Sequence, residues 1–283
     1  MKATIVVLLL VFIHSVVCFS WKSIGRKVKE IAPSKKINQP SLILLDTPAV
    51  VLSRDAYQSS SINGYLPSDY KNHRGPWNLK LSTNKKGTVT KVYVSESTQT
   101  VIVAYKGTNN VQNLVQDVKS LISTRCNMNG VACGKVGKGF LDNFYLDVKE
   151  VKAAISPYIS KKYQIVFTGH SLGGATSTLA ALYFITAYPS MRTPTLITFA
   201  SPLVGNKEFV SVFNYRMAGA ISRRFVTKFK MIGISTLDLV TLVPEQFEHV
   251  KADVQTIKCL KNNPLSCHKI LNYIKALQSV ARL

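Results

Sequence analysis

The chain has 283 residues, 46% apolar and 18% charged, which excludes a disordered tract and leaves room for a sizeable buried core. Its 36 Lys+Arg against 14 Asp+Glu give a net charge of +22, a balance that points to anionic surfaces or polymers and says nothing about fold. The basic residues are scattered rather than interleaved with aromatics and no nucleic-acid motif occurs, so specific nucleic-acid recognition is not expected.

Lys2 and an apolar run from Ile5 to Val17 have the form of a secretory signal, too short to span a bilayer, with cleavage after Cys18 or Ser20. Residues 1–20 are therefore expected to be a signal peptide and the protein to be secreted. In residues 21–40, Trp21, Ile24, Val28 and Ile31 recur at helical spacing among Lys22, Arg26, Lys27 and Lys29. This basic amphipathic segment could lie on an anionic membrane surface, or pack on the domain, or be a removable pro-segment. The remainder, 41–283, reads as one domain. Pro40 to Pro76 holds no assignable chemistry, and His73 there reads as a solvated surface residue.

Thr88–Ser95 and Thr100–Tyr105 read as a β-hairpin. The second strand runs into Gly107-Thr108, a turn able to aim a backbone N–H and a hydroxyl at one point. Val111, Leu114, Val115 and Val118 then form one apolar helical face, suited either to a lid over a site or to an ordinary core-facing helix. Residues 124–139 read as a Cys-bounded loop, and Gly139–Ser160 as a helix with Phe140, Phe144, Val148, Val151 and Ile155 inward. Without Cys18, the remaining cysteines are Cys126, Cys133, Cys259 and Cys267. Three disulfide connectivities are open; the local one, 126–133 with 259–267, is the simplest. Neither pair has C-x2-C spacing, so no metal is expected.

The most informative stretch is Gln164–Gly174, where an apolar strand ends in Gly169-His170-Ser171-Leu172-Gly173 and an Ala/Leu-rich helix follows. This is G-x-S-x-G in a strand–turn–helix setting, the form of a nucleophile elbow. Side chains at Gly169 or Gly173 are expected to collide with neighbouring backbone, and the helix start presents the Leu172 N–H to an oxyanion beside Ser171. Further strands are expected at Thr195–Ala200 and Arg223–Lys230, and alternating strands and helices predict an α/β fold with a mainly parallel sheet covered on both faces. In this architecture an acid and then a histidine follow the serine. Asp238, after an apolar strand, fits the acid, with Asp253 as competitor and Glu245 and Glu248 behind it. His268, stiffened if Cys267 bridges Cys259, is better placed than His249 as the base.

These segments together resemble the class 3 lipases, secreted α/β-hydrolases typified by fungal triacylglycerol lipases. The matching pieces are Tyr105–Thr108 for the oxyanion loop, Asn113–Asp117 for the lid region and Gly137–Phe140 at the entry to a helix. Gly169–Gly174, Phe199–Asn206 and Asp238–Pro244 continue the match in the same order. The resemblance implies Ser171, Asp238 and His268 as catalytic triad, Thr108 and Leu172 as oxyanion hole, and His249 as a non-catalytic histidine. It implies a lipid ester substrate met at a lipid–water interface, with no metal or cofactor. The chain departs from the pattern at Lys106, Leu114, Lys138, Leu203 and Thr241; Leu114 replaces a lid tryptophan. The family includes triacylglycerol lipases, phospholipases A1 and feruloyl esterases, so ester hydrolysis is expected and the ester class is open. A non-catalytic basic binding protein on the same scaffold is the alternative, and a monomer is expected, since no heptad signal occurs.

Overall fold

The computed structural model describes residues 40–63, 66, 76–109, 122–231, 234–259 and 263–281. The expected signal peptide, the basic amphipathic segment, His73 and the lid residues Val111, Leu114, Val115 and Val118 lie outside them.

Strands β1 (Asn78–Lys85), β2 (Thr88–Ser95), β3 (Thr100–Tyr105), β6 (Gln164–His170), β7 (Thr195–Phe199), β8 (Ser222–Met231) and β10 (Asp253–Lys258) form the sheet in the order β1-β2-β3-β6-β7-β8-β10. From β3 to β10 every pairing is parallel; β1 and β2 add an antiparallel edge, and short β9 (Ile234–Leu237) turns back on the end of β8. Every residue of β3 and β7 is buried, as a sheet covered on both faces requires.

Period-two alternation assigns the faces. Ile102, Ala104, Val166, Ile197, Phe199 and Phe225 join the cluster built by helix α1 (Pro40–Asp55) and helix α7 (Ile270–Ala281). The residues between them point the other way, where Phe167 stacks on Phe184 of helix α4 (Leu172–Ala187) with centroids 5.3 Å apart. Helix α1 gives no sequence signal because Asp46 to Ser53 is buried throughout, leaving no polar stripe, and because Pro48 lies inside it.

Two readings of local structure are corrected. Residues 124–139 are mostly a β-hairpin, β4 (Ser123–Met128) with β5 (Val131–Gly137), rather than a loop. Its turn, Asn129-Gly130, has φ of 54° and 85°, the left-handed pair that a two-residue hairpin needs and that Asn-Gly supplies. The helix expected over Gly139–Ser160 is two, α2 (Lys138–Tyr145) and α3 (Val148–Ser160). Buried Asp147 separates them, its carboxylate accepting from Thr83 Oγ1 of β1 at 2.5 Å. The local disulfide connectivity is the one present, Cys126–Cys133 across the hairpin and Cys259–Cys267 at the end of β10.

At the end of α1 a buried ion pair fixes the helix to β2. Lys91 Nζ reaches Asp55 Oδ2 at 2.9 Å and donates to the carbonyls of Asp55, Gln58 and Ser60, and Tyr93 donates to the same carboxylate. Asp55→Ala strands the ammonium without a counter-charge and is expected to cost about 3–5 kcal/mol in urea unfolding. The double variant Asp55→Ala/Lys91→Met should recover part of that loss; equal loss in both would show the pair to be unimportant.

Candidate active site

The β6–α4 junction holds Ser171 with φ of 60° and ψ of −128°, a conformation that a non-glycine residue adopts only under surrounding constraint. The constraint is visible in its neighbours. A Cβ on Gly169 would lie 2.2 Å from the Gly173 carbonyl oxygen, and one on Gly173 would lie 2.1 Å from that of Tyr105. The Ser171 N–H donates to Phe199 O at 2.8 Å, tying the elbow to the end of β7. Leu172 is the first residue of α4, so its N–H is one of those that a helix leaves without an internal acceptor.

Gly107, after β3, lies against the serine; a Cβ there would be 3.1 Å from Ser171 Cβ. Thr108 is the next residue, half-buried. Asp238 precedes a short 3-10 helix, Leu239–Leu242, and caps it by accepting the Val240 N–H on Oδ1 at 3.1 Å. Its Oδ2 accepts from His268 Nδ1 at 2.6 Å, both side chains being almost wholly buried. A carboxylate cannot donate here, so His268 carries its proton on Nδ1 and presents Nε2 as an acceptor. Tyr273 of α7 also hydrogen-bonds Asp238; burial first, and then the charge of Asp238, hold its phenol far above the usual range.

Asp238 and His268 are thus in contact, and His249 and Asp253 are elsewhere. His249 Nε2 donates to Thr241 O at 2.7 Å, bracing the acid loop from outside, and Asp253 is exposed at the start of β10. Ser171 Oγ and His268 Nε2 are both buried, and neither finds a hydrogen-bond partner among the described residues. A hydroxyl–imidazole bond is therefore unformed in this state, as in many resting sites where it tightens only with substrate.

Sequence reasoning missed Tyr57 and the role of His170. Gly107 N–H donates to Tyr57 Oη at 3.1 Å, Tyr57 O–H donates to His170 Nδ1 at 2.9 Å, and His170 Nε2–H donates to the His268 carbonyl at 2.7 Å. One chain of bonds joins the loop before Thr108, the elbow and the backbone of the candidate base. A tyrosine in a stretch without periodicity carries no signal of this. Burial first, and then neighbouring His268, hold the His170 pKa well below its ordinary value, so the ring stays neutral in the fold. Below the ordinary pKa of about 6.5 the unfolded chain takes up a proton that the folded chain refuses, and stability falls with pH by about 1.4 kcal/mol per unit. Between pH 6.5 and 5 the chain is expected to lose about 2 kcal/mol more than its His170→Gln variant in urea unfolding. Parallel losses would remove His170 as the source.

A family model described as lipase (class 3) matches residues 102–247. The protein EDS1L of Arabidopsis thaliana is 32% identical over 136 residues, 42% of this chain and 22% of that protein. A lipase of Rhizomucor miehei is 28% identical over 133 residues, 46% of this chain and 35% of that protein. The matches thus span about a fifth and about a third of those relatives. Among solved structures, the triacylglyceride lipase of Rhizomucor miehei superposes with a TM-score of 0.63 at 21% identity, covering 80% of this chain and 82% of that one, a likeness of fold.

Proposed function

The chain belongs to the class 3 lipases, and on that footing we propose that it is a serine hydrolase of lipid esters working through an acyl-Ser171 intermediate. The observation that carries this reading is the buried Asp238–His268 pair, its imidazole 4.8 Å from the ring of His170 next to a strained Ser171, with Ser171 Oγ and His268 Nε2 finding no hydrogen-bond partner among the described residues.

Ser171 Oγ attacks the ester carbonyl carbon while His268 Nε2 takes the hydroxyl proton, and Asp238 stabilises the resulting imidazolium. Charge on the former carbonyl oxygen meets the N–H of Leu172 and the Gly107–Thr108 turn. The C–O bond to the alcohol breaks, and the alcohol leaves with the proton from His268. Water then attacks the acyl carbon, giving its proton to His268, and the fatty acid departs as Ser171 regains its hydrogen. Ser171 is 0% exposed, which supports an opening step before substrate reaches it and hence a rate rise at a lipid interface.

The finer assignments within this reading are a secreted, monomeric enzyme that works without a cofactor and is drawn to anionic phospholipid. Two disulfides favour an oxidising compartment. The charge of +22 favours anionic surfaces, where each basic side chain near the surface adds about 1 kcal/mol. Fatty-acid release is measured from emulsified triacylglycerol and from phospholipid vesicles with and without anionic lipid, at two salt concentrations. Release from anionic vesicles that falls with salt supports the phospholipid assignment. Release from triacylglycerol alone assigns a triacylglycerol lipase, and preference for soluble aromatic esters assigns an esterase. No release from any ester overturns the hydrolase reading and leaves a basic binding protein on this scaffold.

A further inference from the structure

Arg224 differs from its neighbours on β8. Arg223 Nη1 lies 2.8 Å from both carboxylate oxygens of Asp46 on the α1 face, and Phe225 stacks on Phe199 in the core of that face. Alternation sends Arg224 to the α4 face. There it is 8% exposed, and its Nε and Nη1 are buried and find no acceptor among the described residues. Burial alone pushes its guanidinium down to about 10, still far too high to lose its charge at neutral pH. The nearest acids along the strands do not serve it. Asp253 is in register with Arg223, on the face of Asp46, and Glu208 of helix α5 (Lys207–Arg216) is exposed.

Arg224 lines a small cavity with Thr178, Thr198, Ser201, Pro202 and His249. Among the described residues no carboxylate lines it. Thr178 Oγ1 donates to Gly174 O, Ser201 Oγ to Pro202 O, and His249 Nε2 to Thr241 O, so these groups bring no acceptor charge to the guanidinium. The cavity measures about 10 Å³, room for one occupant the size of a water molecule. That size excludes phosphate, sulfate and carboxylate ligands. Water would satisfy the N–H groups and leave the buried charge uncompensated, whereas a monatomic anion does both.

We propose that this cavity is a binding site for a monatomic anion of the chloride type, held by Arg224 Nε–H and Nη1–H. The site adjoins the candidate active centre through two of its walls. Ser201 packs on the start of α4, where a Cβ on Gly174 would lie 2.7 Å from Ser201 Cβ, and His249 holds Thr241 of the acid loop. An occupant there fastens the segment after β7 to the segment before β10.

Thermal unfolding of the full chain at constant ionic strength, with sodium chloride replacing sodium gluconate, tests this. At about 100 times the dissociation constant, chloride should raise Tm by about 4–8 °C, with bromide acting alike. Arg224→Met keeps the bulk and removes the charge, and should unfold at the same temperature in both salts. In crystals grown with bromide, an anomalous peak is expected beside Arg224 Nε and Nη1. A Tm indifferent to chloride, a chloride shift that persists in Arg224→Met, or water in place of bromide would overturn the assignment. Should the variant fail to fold, the bromide crystal of the parent chain decides.

Discussion

Ser171→Ala and His268→Ala are each expected to lower kcat on lipid ester by about 10⁶-fold, and the double variant by about the same factor. The reason is that serine and histidine act as one device. Without the imidazole the hydroxyl keeps its proton, and without the hydroxyl the imidazole has nothing to activate. Independent contributions would multiply instead, and the double variant would then fall below any measurable rate. The test is fatty-acid release in the steady state from the parent chain and the three variants, with folding checked by circular dichroism. A residual rate of about 10³–10⁴ over water should remain in all three, supplied by Leu172 N–H, the Gly107–Thr108 turn and substrate binding. Retained activity in Ser171→Ala would refute the nucleophile assignment, and His249→Ala is expected to keep the chemistry that His268→Ala loses.

The second large effect is on folding. Gly173 lies in the first turn of α4, where alanine for glycine ordinarily gains about 1 kcal/mol of helix stability. Here the added methyl would sit 2.1 Å from the Tyr105 carbonyl oxygen, inside the backbone of β3 rather than against a movable side chain. Either α4 lifts from the sheet or β3 shifts, and both tear the junction that holds Ser171 in its strained conformation. Gly173→Ala is therefore expected to lose at least about 5 kcal/mol, the range reached only when a core feature is destroyed. The readout is soluble yield and the urea midpoint. A variant that folds with parent-like stability would show that the elbow tolerates the methyl and that the close approach is not what selects glycine.

How much of this was legible follows from how local each signal is. The elbow announces itself because strand, turn and helix are contiguous, although the contact that demands glycine at 173 comes from Tyr105 of β3, distant in sequence. Thr88–Ser95 and Thr100–Tyr105 fall where the β-branched runs place them. Asp238 and His268 came from chain order and family resemblance, since neither residue has a local signature, and the structure puts them in hydrogen-bond contact. Tyr57, Tyr273 and Arg224 were illegible: each matters through partners distant in sequence or through the lack of one. Helix α1 was missed because burial on all sides erases periodicity. The hairpin β4–β5 was missed although Asn129-Gly130 is a strong turn signal, because the flanking strands are polar and short. The proposed lid face falls outside the described residues.

Helices α1 and α7 pack together on one face of the sheet, and Tyr57 and His268 reach the elbow from near those two ends of the fold, both outside residues 102–247. On a ribosome this order matters. The nascent chain exposes Ser171, the proposed nucleophile, long before His268, the proposed base, and the clasp between α1 and α7 can close only once α7 has emerged. A polypeptide truncated after β8 would carry Ser171 and Tyr57 and is still expected to be inactive, lacking the proposed base and acid and helix α7. Chain order alone is thus expected to keep an unfinished copy from acting on ester.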